Sequence, residues 1–230
     1  MDVKGSVALV TGANRGIGRH FARQLLERGA AKVYATARAP ERIDVPGVEV
    51  LSLDVTDPAS VSAAAATATA VTLLVNNAGI AGQQNLVVGD LDTMRLEMET
   101  LFWGSLRTIR AFAPVLARNG GGAILNVLSA MSWFSYDGAN SYAAAKAAQW
   151  ALTNGVRLEL AGQGTLVTAM HMGAVDTDMM AGYDMDKLDP ADVVRLAIDG
   201  IQAGELEILV DDASRQVKAA LAADPSALYP

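Results

Sequence analysis

The sequence predicts a single α/β domain: an open, doubly wound parallel sheet of about seven strands with helices on both faces. Three observations predict it. Short runs of Val, Ile and Leu alternate with Ala-rich segments of helical length along the chain, which is the pattern of βαβ units. A length of 230 residues suits one large domain, at roughly 100–200 residues per domain. A glycine-rich turn, Thr11-Gly12-Ala13-Asn14-Arg15-Gly16-Ile17-Gly18, joins the first apolar run to the first amphipathic segment.

Taken in order, strands are predicted at Val7–Val10, Lys32–Thr36, Val48–Ser52, Val71–Val75, Ala123–Val127, Leu166–His171 and Glu207–Val210. Helices are predicted at Gly16–Arg28, Pro58–Thr67, Thr93–Arg118, Ala139–Leu160, Pro190–Ile201 and in a short tail after Ser214. Two helix starts are signalled by Asp57-Pro58 and Asp189-Pro190, a capping carboxylate followed by Pro in the first turn.

Composition narrows the chemistry. The chain is 51% hydrophobic and 19% charged, too apolar for a disordered protein. Cys is 0 and His is 2, which excludes disulfides and thiol nucleophiles and argues against a histidine metal centre; no metal is expected. A net charge of -7 lacks the basic excess of a nucleic-acid binder. No apolar run approaches the roughly 20 residues that cross a bilayer, and the amino terminus carries no secretory pattern. A cytoplasmic protein with no membrane partner is expected.

The glycine turn suits a phosphate. Gly allows a tight turn and close approach of backbone N–H groups, and a helix start favours an anion. Further along, Asp54-Val55 ends the third strand and Asn76-Asn77-Ala78-Gly79 the fourth. Ser129 follows the fifth strand, and Tyr142 and Lys146 stand four apart on the next helix. Tyr and Lys at that spacing also occur on solvated helix faces, but not with these companions in this order. Together these motifs resemble the short-chain dehydrogenase/reductase family, over about Val3 to Val210.

The resemblance implies a Rossmann-type fold whose cofactor half runs to about residue 125, with a catalytic and substrate half beyond it. It implies a nicotinamide cofactor held by Gly12, Asn14, Arg15, Gly16, Ile17, Gly18, Arg38, Asp54, Val55, Asn77, Ala78, Gly79, Tyr142, Lys146, Val175 and Thr177. No acid follows the second strand until Glu41, whereas Arg38 ends it and Arg15 sits inside the glycine turn as a second cation. Arg accommodates a 2′-phosphate, so NADP(H) is expected over NAD(H). Tyr142 is expected as the general acid/base, its phenol made more acidic by the Lys146 ammonium, with Ser129 donating to the substrate oxygen. The implied function is an oxidoreductase moving hydride between NADP(H) and a hydrophobic ketone, aldehyde or secondary alcohol. The alternatives are a catalytically weak NADP-binding regulatory or sensor protein, and a dehydratase or isomerase on the same fold.

Two positions depart from the family. Alignment on Gly104 puts Leu101 where the family has a catalytic Asn, so the proton relay from Lys146 must be altered; the hypothesis is that the backbone carbonyl of residue 101 serves it instead. Met172 replaces a Pro after the sixth strand, and the neighbouring His171 is read as a structural histidine. A hydrophobic substrate pocket is expected from Met131, Trp133, Tyr136, Met179 and Met180, Met being adaptable in shape. A homodimer or homotetramer is implied through the two long helices.

Overall fold

The structure, a computed structural model, describes residues 1–229. Seven strands form one sheet: β1 (Val7–Thr11), β2 (Lys32–Ala37), β3 (Glu49–Ser52), β4 (Leu73–Asn76), β5 (Ala123–Val127), β6 (Leu166–His171) and β7 (Glu207–Leu209). Their order is β3-β2-β1-β4-β5-β6-β7, and every pairing is parallel. The order reverses between β1 and β4, and the carboxyl ends beside such a switch point are where open α/β sheets bind ligands.

Alternate residues of each strand feed different layers. Ala8, Val10, Val33, Leu73 and Leu125 pack beneath α1 (Gly16–Glu27) and α6 (Pro190–Ala203), against Phe21, Leu25, Val194 and Ile198. Leu9, Leu74, Ile124 and Val167 face the other way, toward α2 (Pro58–Thr67), α4 (Gly104–Arg118) and α5 (Asn140–Leu160), where Val61, Ile109, Phe112, Leu116 and Val156 meet them. Apolar residues at both phases of the strand period are what a sheet covered on two faces requires. Burying one such side chain contributes about 1.5–3 kcal/mol.

Both Asp-Pro signals cap as expected: Asp57 accepts from the Ala59 N–H at 2.9 Å and Asp189 from the Ala191 N–H at 2.7 Å. The predicted helix Thr93–Arg118 is interrupted. It starts at Leu91, because Asp90 caps it by accepting from the Thr93 N–H at 2.7 Å. It then runs as α3 (Leu91–Met98), one π-helical turn Glu99–Trp103 closed by the Gly104 N–H on the Glu99 carbonyl, and α4. The fourth strand is offset to Leu73–Asn76 from the expected Val71–Val75, since Thr72 pairs with Val7 ahead of the ladder. The tail helix, α7 (Asp212–Ala220), starts ahead of the expected position after Ser214, capped by Asp211. Among the described residues, no helix is long and apolar enough to cross a membrane.

Candidate active site

The glycine turn is locked against the end of β4. Gly12 and Gly16 have φ of +66° and +50°, the left-handed region that a side chain disfavours. A Cβ on Gly18 would sit 2.1 Å from the Gly12 carbonyl oxygen and 2.5 Å from Asn77 Nδ2. Thr11 ties the two segments: its hydroxyl accepts from the N–H groups of Asn77 and Ala78, both at 2.9 Å. Asn77 Nδ2 donates to the Thr11 carbonyl at 2.9 Å. Thr177 closes the other side, within 3.2 Å of the position a Gly16 Cβ would take.

These residues fit a dinucleotide. α1 opens at Gly16 with no acidic residue in its first turn, so its free N–H groups and positive dipole end meet no carboxylate of the helix itself. Arg15 caps α1 with extended backbone, and its exposed guanidinium stands 3.5 Å from Asp178. Arg38 directly follows β2 and is exposed; among the described residues it makes no ion pair. Asp54, half-buried past β3, is held by both Thr56 donors at 2.9 and 2.7 Å.

One step along the sheet edge, three side chains gather. Ser129, 9% exposed, accepts from the Met131 N–H at 3.1 Å, and its hydroxyl stands near enough to the Tyr142 phenol to draw its pKa down. Lys146, 5% exposed, donates to the Val127 carbonyl at 2.7 Å and to Gln149 Oε1 at 3.0 Å. Its Nζ lies 5.7 Å from the Tyr142 ring centroid. Here the expectation of an acidified phenol is corrected. Burial pushes Tyr142 up to about 12, against the Ser129 hydroxyl and with the Glu97 charge adding to the rise. Burial also pushes Lys146 down to about 7. The ammonium is committed to Val127 and Gln149, and desolvation of both groups favours their neutral forms.

Leu101 lies in the π-helical turn, fully buried, with Cδ2 3.0 Å from where a Gly79 Cβ would be. It fills core space behind the Asn77-Ala78-Gly79 turn. His171 is also fully buried, its Nδ1 3.0 Å from the Ser129 carbonyl. A carbonyl only accepts, so Nδ1 carries the proton, and burial pushes the ring down to about 4. The histidine thus holds the backbone of Ser129. Trp133, expected in the substrate pocket, is corrected. Its ring is 8% exposed, stacked on His171 at 3.8 Å and edge-on to Trp150 at 6.1 Å, so its apolar face is spent on packing. Met131 and Met180 are half-buried, whereas Tyr136 and Met179 are exposed, at 62% and 40%. Val175 is buried, bridged to Leu188, with its carbonyl accepting from the Thr177 hydroxyl at 3.2 Å.

Sequence reasoning missed the polar supports. Asn76 Nδ2 donates to Asn126 Oδ1 at 2.8 Å across neighbouring strand ends. Thr108 donates to Asn76 at 2.7 Å, and Asn126 donates to Thr153 at 2.9 Å. A lone Asn at or next to the end of each apolar strand, Leu-Leu-Val-Asn and Ala-Ile-Leu-Asn-Val, was the available signal. Gln149 was missed as well, although it stands three residues after Lys146, a spacing that shares a helix face. Glu97, fully buried and accepting from the Gly82 N–H, carries no local signal of its burial.

A glycine cradle and a Ser-Tyr-Lys cluster at one edge of a parallel sheet define a nicotinamide-dependent oxidoreductase class, and known proteins agree. The short chain dehydrogenase family model matches residues 6–188. The 3-oxoacyl-(acyl-carrier-protein) reductase FabG of Vibrio cholerae is 36% identical over 189 residues, spanning 78% of this chain and 77% of that one. A short chain dehydrogenase from Burkholderia cenocepacia, solved in complex with NADP, superposes with a TM-score of 0.95 at 37% identity, covering 100% of this chain and 98% of that one. A 3-ketoacyl-(acyl-carrier-protein) reductase from Brucella melitensis, solved with NADH, gives 0.83 at 26% identity, covering 90% and 96%. The chain belongs to the short-chain dehydrogenase/reductase family of oxidoreductases.

Proposed function

We propose that the protein is an NADP(H)-dependent carbonyl reductase or alcohol dehydrogenase acting on hydrophobic ketones, aldehydes or secondary alcohols, with Tyr142 as general acid/base. The observation that carries the reading is the gathering of Ser129, Tyr142 and Lys146 at the carboxyl end of β5, beside a glycine turn too tight for side chains. Gly12, Gly16 and the start of α1 would hold the pyrophosphate, and Asp54, Val55 and Ala78 would border the adenosine half. Val175 and Thr177 would take the carboxamide. A bound nicotinamide supplies or accepts hydride. The chain's own groups manage the oxygen: Ser129 donates a hydrogen bond to it, and Tyr142 gives its proton as the carbonyl is reduced. A phenol raised by burial is protonated at neutral pH, which suits it as the acid of the reductive direction.

Arg15 and Arg38, with no acid at the end of β2, support NADP(H), as does the NADP in the Burkholderia cenocepacia structure. The Brucella melitensis structure with NADH makes the preference a question for measurement. A 3-oxoacyl thioester, the substrate class named for the Vibrio cholerae relative, is one hydrophobic ketone of the proposed set. Purified protein is assayed at 340 nm, where reduced nicotinamide absorbs, with NADPH or NADH against aromatic ketones and a 3-oxoacyl thioester. Tyr142→Phe is expected to cut turnover by about 10²–10⁴-fold, the usual worth of a positioned acid, with NADPH binding kept. NADPH binding without turnover on any carbonyl would instead favour the nucleotide-sensing alternative.

A further inference from the structure

Gln149 is a buried polar side chain on the face of α5 that also carries Lys146 and Thr153. It is 1% exposed. Its Nε2 donates to Ser105 Oγ at 2.8 Å, and its Oε1 accepts from Lys146 Nζ at 3.0 Å. Ser105 is itself buried, in the first turn of α4. Because Nε2 faces a hydroxyl that can accept and Oε1 an ammonium that only donates, the amide has one orientation that satisfies both ends. A buried amide costs stability unless paired, so this one is fixed by both contacts.

The Lys146 ammonium has three N–H groups and two oxygens beside it, the Val127 carbonyl and Gln149. The first belongs to the strand end and cannot be altered by substitution. The second is the only side-chain oxygen among its described hydrogen-bond partners.

We propose that Gln149 is a positioning residue for the reaction: locked by Ser105, its side-chain carbonyl holds the Lys146 ammonium at the end of β5. The assignment rests on the proposed function above. It deepens that reading by placing the support of Lys146 on the same helix, one turn away.

The titratable groups around Lys146 are Tyr142 on α5, whose ring it faces, and His171 on β6; Glu97 on α3 acts on Tyr142. His171 is pushed down to about 4 and stays neutral near pH 7. Burial drives Lys146 toward neutrality, so the loss of an oxygen partner pushes it further the same way, and an added negative charge pushes it back.

The full-length protein without cofactor, labelled with ¹³Cε-lysine, is titrated by NMR; it has five lysines, and Lys146→Met assigns the signal. Gln149→Met keeps the volume and removes the oxygen. Its Lys146 midpoint is expected to fall by about one pH unit, the size of one hydrogen bond to a charged group. Gln149→Glu, which keeps an oxygen acceptor and adds charge, is expected to raise it by at least about as much. Ser105→Ala, which frees the amide, is expected to move it in the direction of Gln149→Met but less far. The limb of the kcat pH profile that tracks Lys146 should follow each variant. A midpoint and profile unmoved in both Gln149 variants, or moved the same way by both, overturns the proposal, because a purely packing role gives no opposed shifts. Should Gln149→Met fail to fold, the Glu variant and Ser105→Ala carry the same test. The NMR readout needs no turnover, so an active Tyr142→Phe enzyme would defeat the proposed function while leaving the role of Gln149 to be judged by titration.

Discussion

Replacing Gly18 with alanine tests whether the glycine turn is held by packing against the end of β4. The new Cβ would lie 2.1 Å from the Gly12 carbonyl oxygen, 2.5 Å from Asn77 Nδ2 and 2.8 Å from the Gly12 carbonyl carbon. Contact for such pairs begins above about 3 Å, so α1 and the Gly12 turn must part by about 1 Å: the Gly12 carbonyl is backbone, and the Asn77 amide is tied to the Thr11 and Gly12 carbonyls. Overpacking of this kind costs about 1–3 kcal/mol, or a Tm lower by about 2–4 °C per kcal/mol in a chain of this size. A 1 Å displacement of groups that position a ligand costs up to about 100-fold, and NADPH affinity should fall toward that limit. Gly155→Ala is the control. It sits inside α5 with nothing within 4 Å of its Cβ position, and removing a helix-interior glycine should stabilise by about 0.5–1 kcal/mol. Thermal unfolding and NADPH fluorescence titration read both variants. A Gly18→Ala protein that binds NADPH as the parent does, with an unchanged Tm, would refute the packing argument.

Arg38→Ala should lower kcat/KM for NADPH by about 10–100-fold, the loss of one bidentate charged contact, and leave NADH use nearly unchanged; an equal loss on both cofactors would place Arg38 elsewhere. His171 has a folded pKa of about 4 against 6.5, so its stabilisation is complete above pH 6.5 and is lost as pH falls through 4. The size is about 3 kcal/mol at 1.36 kcal/mol per unit. Urea unfolding of parent and His171→Asn across that window should therefore show a gap that narrows on acidification, and parallel curves would contradict the assignment. Thr153→Val removes the acceptor for Asn126 Nδ2 and should cost about 1–3 kcal/mol, the penalty of an unpaired buried donor. Chemical denaturation showing no change would mean that the Asn126 amide finds another partner.

The sequence by itself determined the strand and helix alternation, the glycine turn, and the order of Ser129, Tyr142 and Lys146. Those features are local. Apolar periodicity, Asp-Pro caps and glycines that must adopt positive φ are each written within a few consecutive residues, so seven strands and the main helices were legible to within one or two positions. What only the tertiary structure decided depends on neighbours from distant segments. Asn76 and Asn126 become a pair only when β4 and β5 align. His171 becomes the donor to Ser129 only when β6 lies beside β5. Trp133 turns inward because His171 and Trp150 offer it a face, and α7 ends nearby with Lys218 over its ring at 5.6 Å. The interruption of the long helix at Glu99–Trp103 is equally invisible, because no Pro falls within that segment. Protonation followed the same rule: residue types suggested an acidified tyrosine, but burial, set by the packing of α5 against the sheet, moved Tyr142 and Lys146 in opposite directions and gave Gln149 its place beside the ammonium.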